Sequence, residues 1–327
     1  MAADGGCVLA YTLTGSAAAA TNARHVVTAD VDGDGVLDVV AANLDADSVT
    51  VLPGAGDGTF AAGSTYAVGT RPYQTVVADF DGDGHPDLAT ADFGGAQVSV
   101  LLNSGDGTFR TASAIDVSGS PRAPATGDLN GDGTADLVVA EQQTSTVRVL
   151  LGDGDGTFTD AGQAATGSQP HGVAVGDFDG DGDADVATAG VGSAGVSVLL
   201  GDGTGALGAA TSYATTSRLY SLAEGDFDGD GTFAAATTYA APALPVAVGA
   251  ADLDGDGTTD LLVSSLKGNS VTPYAGATTG TLTQLTDVPA TGAYDATAAD
   301  LDGDGVRDLV VADSTGGRVD VLRGACQ

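Results

Sequence analysis

Apolar and polar positions along this chain fall into short runs broken by glycine and aspartate. Pairs of valines two apart recur at Val49/Val51, Val98/Val100, Val147/Val149, Val196/Val198 and Val319/Val321. Period two with β-branched residues marks half-buried strands. Each such run sits in a larger pattern. A first strand enters an aspartate-rich loop, as in residues 74–79. A second leaves it, as in residues 87–91, and the alternating strand comes third. A turn with the sequence GDGTF follows at Gly56, Gly105 and Gly154, where glycine supplies the positive φ of a tight hairpin. The fourth strand is weaker and carries Tyr66 or Tyr213. No segment shows helical periodicity.

The aspartate loops set the repeat. They begin at Asp30, Asp79, Asp128, Asp177, Asp226, Asp252 and Asp300, spaced by 49, 49, 49, 49, 26 and 48 residues. A four-stranded unit repeating every 40–50 residues or so is the signature of a propeller blade. The chain has no Trp, which excludes WD40 repeats, and the period excludes nonapeptide calcium arrays. We therefore expect an all-β fold, one seven-bladed β-propeller domain over residues 1–327. The fifth repeat is 23 residues shorter than its neighbours and lacks strands two and three. It is expected to form a thin hairpin blade, residues 221–227 against 234–240; the alternative is six blades with this hairpin inserted. The last repeat supplies only three strands. An orphan N-terminal strand, residues 7–13, is expected to complete it, bringing Cys7 beside Cys326 in a disulfide. The alternative is two unrelated thiols.

Composition sharpens this picture. Hydrophobic residues make up 43% of the 327, enough for a core, and no apolar run approaches the roughly 20 residues that span a membrane. The N-terminus lacks the pattern of a signal peptide. Net charge is −34, which argues against a nucleic-acid partner. The acid is nearly all Asp, and 27 of the 44 acidic residues lie inside the seven loops. That bias points to a site-specific cause rather than general surface acidification.

The loops read D-x-[DN]-x-D-G-x-x-D. Side-chain oxygens recur at positions 1, 3, 5 and 9, a backbone carbonyl at position 7 can add a ligand, and the glycines let the loop close on one point. The candidate ligands are Asp30, Asp32, Asp34, Val36 and Asp38; Asp79, Asp81, Asp83, His85 and Asp87; Asp128, Asn130, Asp132, Thr134 and Asp136. The later loops offer Asp177, Asp179, Asp181, Asp183 and Asp185; Asp252, Asp254, Asp256, Thr258 and Asp260; and Asp300, Asp302, Asp304, Val306 and Asp308. An all-oxygen shell suits a hard cation, and calcium accepts six to eight oxygens in flexible geometry. About six Ca²⁺ sites are expected. Position 12 carries no Glu, so these are not EF-hands. The loop at Asp226 has Ala234 at its ninth position, and its site is expected to be weak or empty.

With these loops the chain resembles FG-GAP/VCBS repeat proteins, the propeller family of the integrin α-subunit head and of several bacterial and fungal lectins. The resemblance runs from about Cys7 to Cys326. It departs at the shortened fifth repeat and where GDGTF is lost, in repeats four, six and seven. It implies structural calcium on the loops between strands one and two, and ligand binding on the opposite face.

On that face, six residues before each first aspartate, stand Arg24, Tyr73, Arg122, His171, Tyr220, Val246 and Tyr294. Arg71 and Arg218 lie two residues further out, and Lys267 and Arg318 sit in nearby loops. Arg24, Arg71, Tyr73, Arg122, His171, Arg218, Tyr220 and Tyr294 are the candidate ligand-binding residues. They read as a rim for a polar or anionic ligand, a glycan or a protein carboxylate, or else as side chains that plug the channel. The three histidines fall in different repeats and no catalytic motif appears. The expected function is a secreted or cell-surface calcium-binding propeller, monomeric, acting in adhesion or carbohydrate recognition. The alternative is a polysaccharide lyase or hydrolase using the Arg/Tyr/His rim.

Overall fold

The computed structural model describes residues 9–110, 113–192, 195–215, 217–228 and 237–326, and the regular elements among them are all strands. The first, β1 (Leu9–Ala18), belongs to the last sheet. Blade one is β2 (Ala23–Ala29), β3 (Asp38–Asn43), β4 (Ser48–Leu52) and β5 (Ser64–Ala67). Blade two is β6 (Pro72–Ala78), β7 (Asp87–Asp92), β8 (Gln97–Leu101) and β9 (Ser113–Asp116). Blade three is β10 (Pro121–Gly127), β11 (Asp136–Glu141), β12 (Thr146–Gly152) and β13 (Phe158–Ala165), and blade four is β14 (Pro170–Gly176), β15 (Asp185–Gly190), β16 (Gly195–Leu199) and β17 (Thr211–Ala214). Blade five is β18 (Pro245–Ala251), β19 (Asp260–Ser265) and β20 (Ser270–Ala275), with its outer edge split into β21 (Thr283–Gln284) and β22 (Val288–Pro289). Blade six is β23 (Ala293–Ala299), β24 (Asp308–Asp313) and β25 (Arg318–Cys326), completed by β1. All pairings are antiparallel, and β1 runs against β25 from Leu9 opposite Cys326 to Ala18 opposite Arg318. The expected closure by the N-terminal strand is therefore present. Cys7 lies outside the described residues, and with it the expected disulfide.

The core lies between blades rather than within one sheet. The second strand of blades one to four and six is buried at every position, because a neighbouring blade covers each face. This is why those strands read as continuous apolar runs. Outer strands such as β5 and β9 are mostly exposed. Five apolar clusters fill the spaces between successive blades from blade five round to blade four. Each fully buried Leu or Val in them contributes about 1.5–3 kcal/mol relative to exposure.

The ring has six blades, not the seven expected from seven aspartate loops. No strand forms among the described residues between β17 and β18, so the expected hairpin of residues 221–227 and 234–240 is not seen there; residues 229–236 lie outside the described residues. The physical reason is the 23-residue gap. A first strand without a second has no ladder partner. Instead, residues 219–226 run between blades four and five. The Leu219 N–H donates to Gly190 O at 3.2 Å, a Cβ on Gly172 would touch Ser221 and Leu222, and Thr259 Oγ1 donates to Asp226 O at 3.3 Å.

The loss also uncovers blade four. In blade one, Tyr66 packs edge-on against Phe109 of the next blade, ring centroids 5.4 Å apart, and its hydroxyl donates to Gly107 O. Tyr213, in the same place on blade four, is 51% exposed, and Leu200 of the same blade is 43% exposed.

Candidate metal centres and the channel mouth

Each aspartate loop folds around its own carboxylates. In blade two, Asp79 Oδ1 accepts the Gly82 N–H at 2.8 Å and Oδ2 accepts the Gly84 N–H at 2.9 Å, while Asp83 Oδ1 accepts the His85 N–H at 2.9 Å. Gly82 and Gly84 have φ of 73° and 87°, which only glycine adopts without strain. Part of each expected side-chain set comes together. Three carboxylate oxygens lie within 4.8 Å of one another in each of five loops: Asp30, Asp32 and Asp38; Asp79, Asp81 and Asp87; Asp177, Asp179 and Asp185; Asp252, Asp254 and Asp260; Asp300, Asp302 and Asp304. Asp34, Asp83, Asp181, Asp256 and Asp308 lie outside these groups. In the third loop Asn130 takes the middle place, and its Nδ2 donates to Asp132 Oδ2 at 2.8 Å.

These donor sets fit a hard divalent cation. Burial, with neighbouring carboxylates adding to it, holds the pKa of Asp38, Asp87, Asp136, Asp260 and Asp308 above the ordinary carboxylate value. Asp254 is pushed up to about 6 by burial and then by the charges of Asp256 and Asp260. Asp81 Oδ1 is buried with no hydrogen-bond partner. A bound cation removes both penalties. Arginines already lean on two loops: Arg110 Nη2 lies 2.8 Å from Asp81 Oδ2, and Arg323 pairs with Asp302. Of the loop at Asp226, Asp230 and Ala234 lie outside the described residues, so the weak-site expectation falls there.

The ninth-position aspartate has a second role that its position in the motif does not announce. Asp87 Oδ2 accepts the Phe80 N–H at 2.9 Å, and Oδ1 accepts the Asn103 N–H at 2.7 Å, sixteen residues on. Asp38, Asp136, Asp185, Asp260 and Asp308 repeat this staple with Gly54, Gly152, Gly201, Gly276 and Gly324. The recurring glycine was the available signal: a Cβ on Gly54 would sit 2.3 Å from Leu37 O. Replacing Asp87 with Ala leaves two buried N–H groups without acceptors, and should cost on the order of 3–5 kcal/mol. Urea unfolding in EDTA, where metal ligation plays no part, checks this; a loss under about 1 kcal/mol refutes the staple.

At the other end of the blades the expected rim residues meet, but as a packed plug. Tyr73 is 4% exposed and His171 5% exposed. The Tyr73 hydroxyl lies 3.2 Å from His171 Nε2 and 2.5 Å from the Tyr294 hydroxyl, joining blades two, four and six across the axis. Arg24 stacks 3.7 Å from the centroid of Tyr294, and Arg122 3.7 Å from that of Phe93 and 4.6 Å from that of Tyr73. Arg71 lies 5.5 Å from the Phe93 centroid. Tyr220 and Arg218 are exposed, and the carbonyl of Tyr220 lies 2.6 Å from His171 Nδ1. Phe93 and Gln142, whose Oε1 accepts from Arg122 Nε at 2.8 Å, belong to this cluster without any sequence signal. Around it stand buried polar side chains at the ends of the second strands, among them Asn43, Glu141, Ser265 and Asp313, which take backbone donors from adjacent loops, and Asp92, which accepts from Ser99 of β8. Arg318 is bound to one of them, Asp313, and to Asp320 on β25, rather than to the mouth. The other histidines lie apart: His25 faces Asp295 at 3.6 Å, and the ring of His85 lies against Gly105.

Burial, then the Arg122 charge, lowers the His171 pKa to about 4. The folded protein thus holds His171 neutral. This contributes stability that is fully present above the unfolded value of about 6.5 and is lost as pH falls through 4, about 3 kcal/mol in all. Wild type should lose that much more stability than His171→Gln between pH 7 and pH 4, measured by denaturant unfolding at fixed calcium. Parallel pH profiles would refute it.

A family model for the FG-GAP-like repeat matches residues 30–90, 79–139, 128–188 and 252–311. The chain belongs to the FG-GAP-like repeat family. Each match spans two successive aspartate loops of this FG-GAP-like chain, and none covers the shortened fifth repeat. No curated protein matches the sequence. Similar solved structures include BBS1N in complex with ARL6DN, 14% identical, TM-score 0.67, covering 95% of this chain and 96% of that one. A Lactobacillus plantarum protein is 19% identical with TM-score 0.51, covering 97% and 88%. An Agrocybe aegerita lectin that recognises non-reducing terminal N-acetylglucosamine is 22% identical with TM-score 0.47, covering 92% and 80%. At these identities the likeness is one of fold.

Proposed function

We propose that this chain is a secreted or cell-surface binding module whose propeller is held by about six calcium ions. The observation that carries the reading is the recurrence of one arrangement, three carboxylate oxygens within 4.8 Å of one another, in five of the loops, with an orphaned buried oxygen on Asp81. The aspartates and Asn130 would supply side-chain ligands, and the carbonyls of Val36, His85, Thr134, Asp183, Thr258 and Val306 the seventh-position ones. The ions set the loops, and the loops set the strand ends. A glycan or protein ligand is assigned to the opposite end, where the rim side chains gather. Equilibrium dialysis against calcium at about tenfold the dissociation constant expected of extracellular loops, corrected for the bath, with isothermal titration of the stripped protein, should give about six equivalents. Fewer than two equivalents would overturn the reading. A glycan and polyanion screen of the loaded protein then identifies the ligand.

A further inference from the structure

We propose that the channel mouth is an anion site, in which Arg24, Arg71 and Arg122 hold the carboxylate of an acidic sugar; this rests on the binding-module reading above. Four of the nine arginines are satisfied by carboxylates: Arg110 by Asp81, Arg148 by Glu141 and Asp160, Arg318 by Asp313 and Asp320, and Arg323 by Asp302. Such pairing is easy in a chain of net charge −34. The three mouth arginines have instead been gathered around two rings. Arg24 and Arg122 share Tyr73, and Arg71 and Arg122 share Phe93. No carboxylate lies within ion-pair distance of them among the described residues. Stacking on ring faces favours each cation singly but does nothing for the repulsion among three.

Two further features point to a missing partner. Arg24 Nε is buried and has no hydrogen-bond acceptor. Arg122 is fixed in place through its Nε bond to Gln142, which leaves its Nη groups for another acceptor. Arg71 stands in the left-handed region, φ 57°, with its N–H held by Asp47 Oδ1 at 2.8 Å. The other blades place Asn22, Ser120, Gln169, Leu244 and Gly292 at the equivalent residue with φ between 55° and 65°, so this backbone belongs to the repeat. What is particular to blade two is the side chain, which shares the Phe93 ring with Arg122.

A guanidinium offers a planar fork of donors that matches the two oxygens of a carboxylate. The rest of the ligand meets aromatic faces, those of Phe93 and of Tyr220, which is 40% exposed. Flat rings beside a cation cluster suit the C–H face of a pyranose that carries a carboxylate.

The test is calorimetric titration of the calcium-loaded protein with tetragalacturonate, its methyl ester and tetraglutamate. Tetragalacturonate should bind saturably and weaken with added salt, and the other two should bind at least tenfold less well. The double variant Arg24→Gln/Arg122→Gln should lose at least tenfold in affinity. Arg71→Asn should lose at least threefold while keeping the wild-type melting temperature, since Asn tolerates the left-handed backbone; this variant decides the matter if the double variant fails to fold. Absence of binding, equal binding of the ester, tighter binding of tetraglutamate, or unchanged affinity in Arg71→Asn would each overturn the proposal. Calcium stoichiometry is measured on the same samples. Protein that takes up calcium but no tetragalacturonate removes this proposal alone, whereas protein that takes up no calcium removes the reading beneath it.

Discussion

EDTA should lower the melting temperature of this protein by roughly 10 °C. Calcium loops of extracellular modules have dissociation constants of about 10⁻⁴–10⁻³ M. At tenfold excess each site adds about 1.4 kcal/mol to the folded state, so six independent sites add roughly 8 kcal/mol. A chain of this length has an unfolding entropy of about 0.7 kcal/mol per kelvin, which converts that sum to the shift stated. The crowded carboxylates give the effect its sign. Without the ion, Asp254 is pushed up to about 6, and five buried ninth-position aspartates are also raised. Scanning calorimetry with calcium, with EDTA, and with EDTA followed by excess calcium measures it. A melt that EDTA leaves within about 2 °C refutes structural calcium.

A reducing agent should destabilise the protein next most strongly. The ring is closed by β1 against β25, and Leu9 lies opposite Cys326 in that ladder. Cys7 stands two residues before Leu9, and we expect it to bridge to Cys326. A loop of this length gives roughly 5–6 kcal/mol by the chain-entropy relation, an upper figure because residual structure in the unfolded chain erodes it. Without the bridge the closing strand is held by backbone hydrogen bonds at a chain terminus, where fraying concentrates. Thiol titration of denatured, unreduced protein should find no free thiol, and dithiothreitol should lower the urea midpoint at constant calcium. Two free thiols would remove both the bridge and the redox argument for secretion.

Much of this architecture is written in local spacing. The valine pairs at Val98/Val100 and Val147/Val149 mark β8 and β12, and aspartates two apart, such as Asp79 and Asp81, converge because alternate side chains of a tight loop face one point. Counting aspartate loops gives seven blades, whereas a blade needs a second strand for the first to pair with, which leaves the six of the alternative. Residues 219–226 have a loop and no such partner. The staple at Asp87 is not legible in the motif because its second donor is the N–H of Asn103, sixteen residues on and past the end of β8. The plug was foreseen only as a set of large residues at one depth. Contact of Tyr73 with His171 and with Tyr294 spans 98 and 221 residues, and no local pattern carries separations of that size.

The aspartate loop and the hairpin turn share one local shape. In the first loop Gly33 and Gly35 have φ of 75° and 87°, and Asp34 Oδ1 accepts the Val36 N–H; in the turn Gly56 and Gly58 have φ of 71° and 76°, and Asp57 Oδ1 accepts the Thr59 N–H. Gly56-Asp57-Gly58 begins 23 residues beyond Gly33-Asp34-Gly35, the same number that the fifth repeat lacks. A chain cut within one Gly-Asp-Gly and rejoined within the other meets no foreign backbone geometry at the junction. The coding sequence therefore carries two interchangeable break points in each of the first three repeats, and one unequal crossover between such points deletes the middle of a blade while leaving the turn sequence behind.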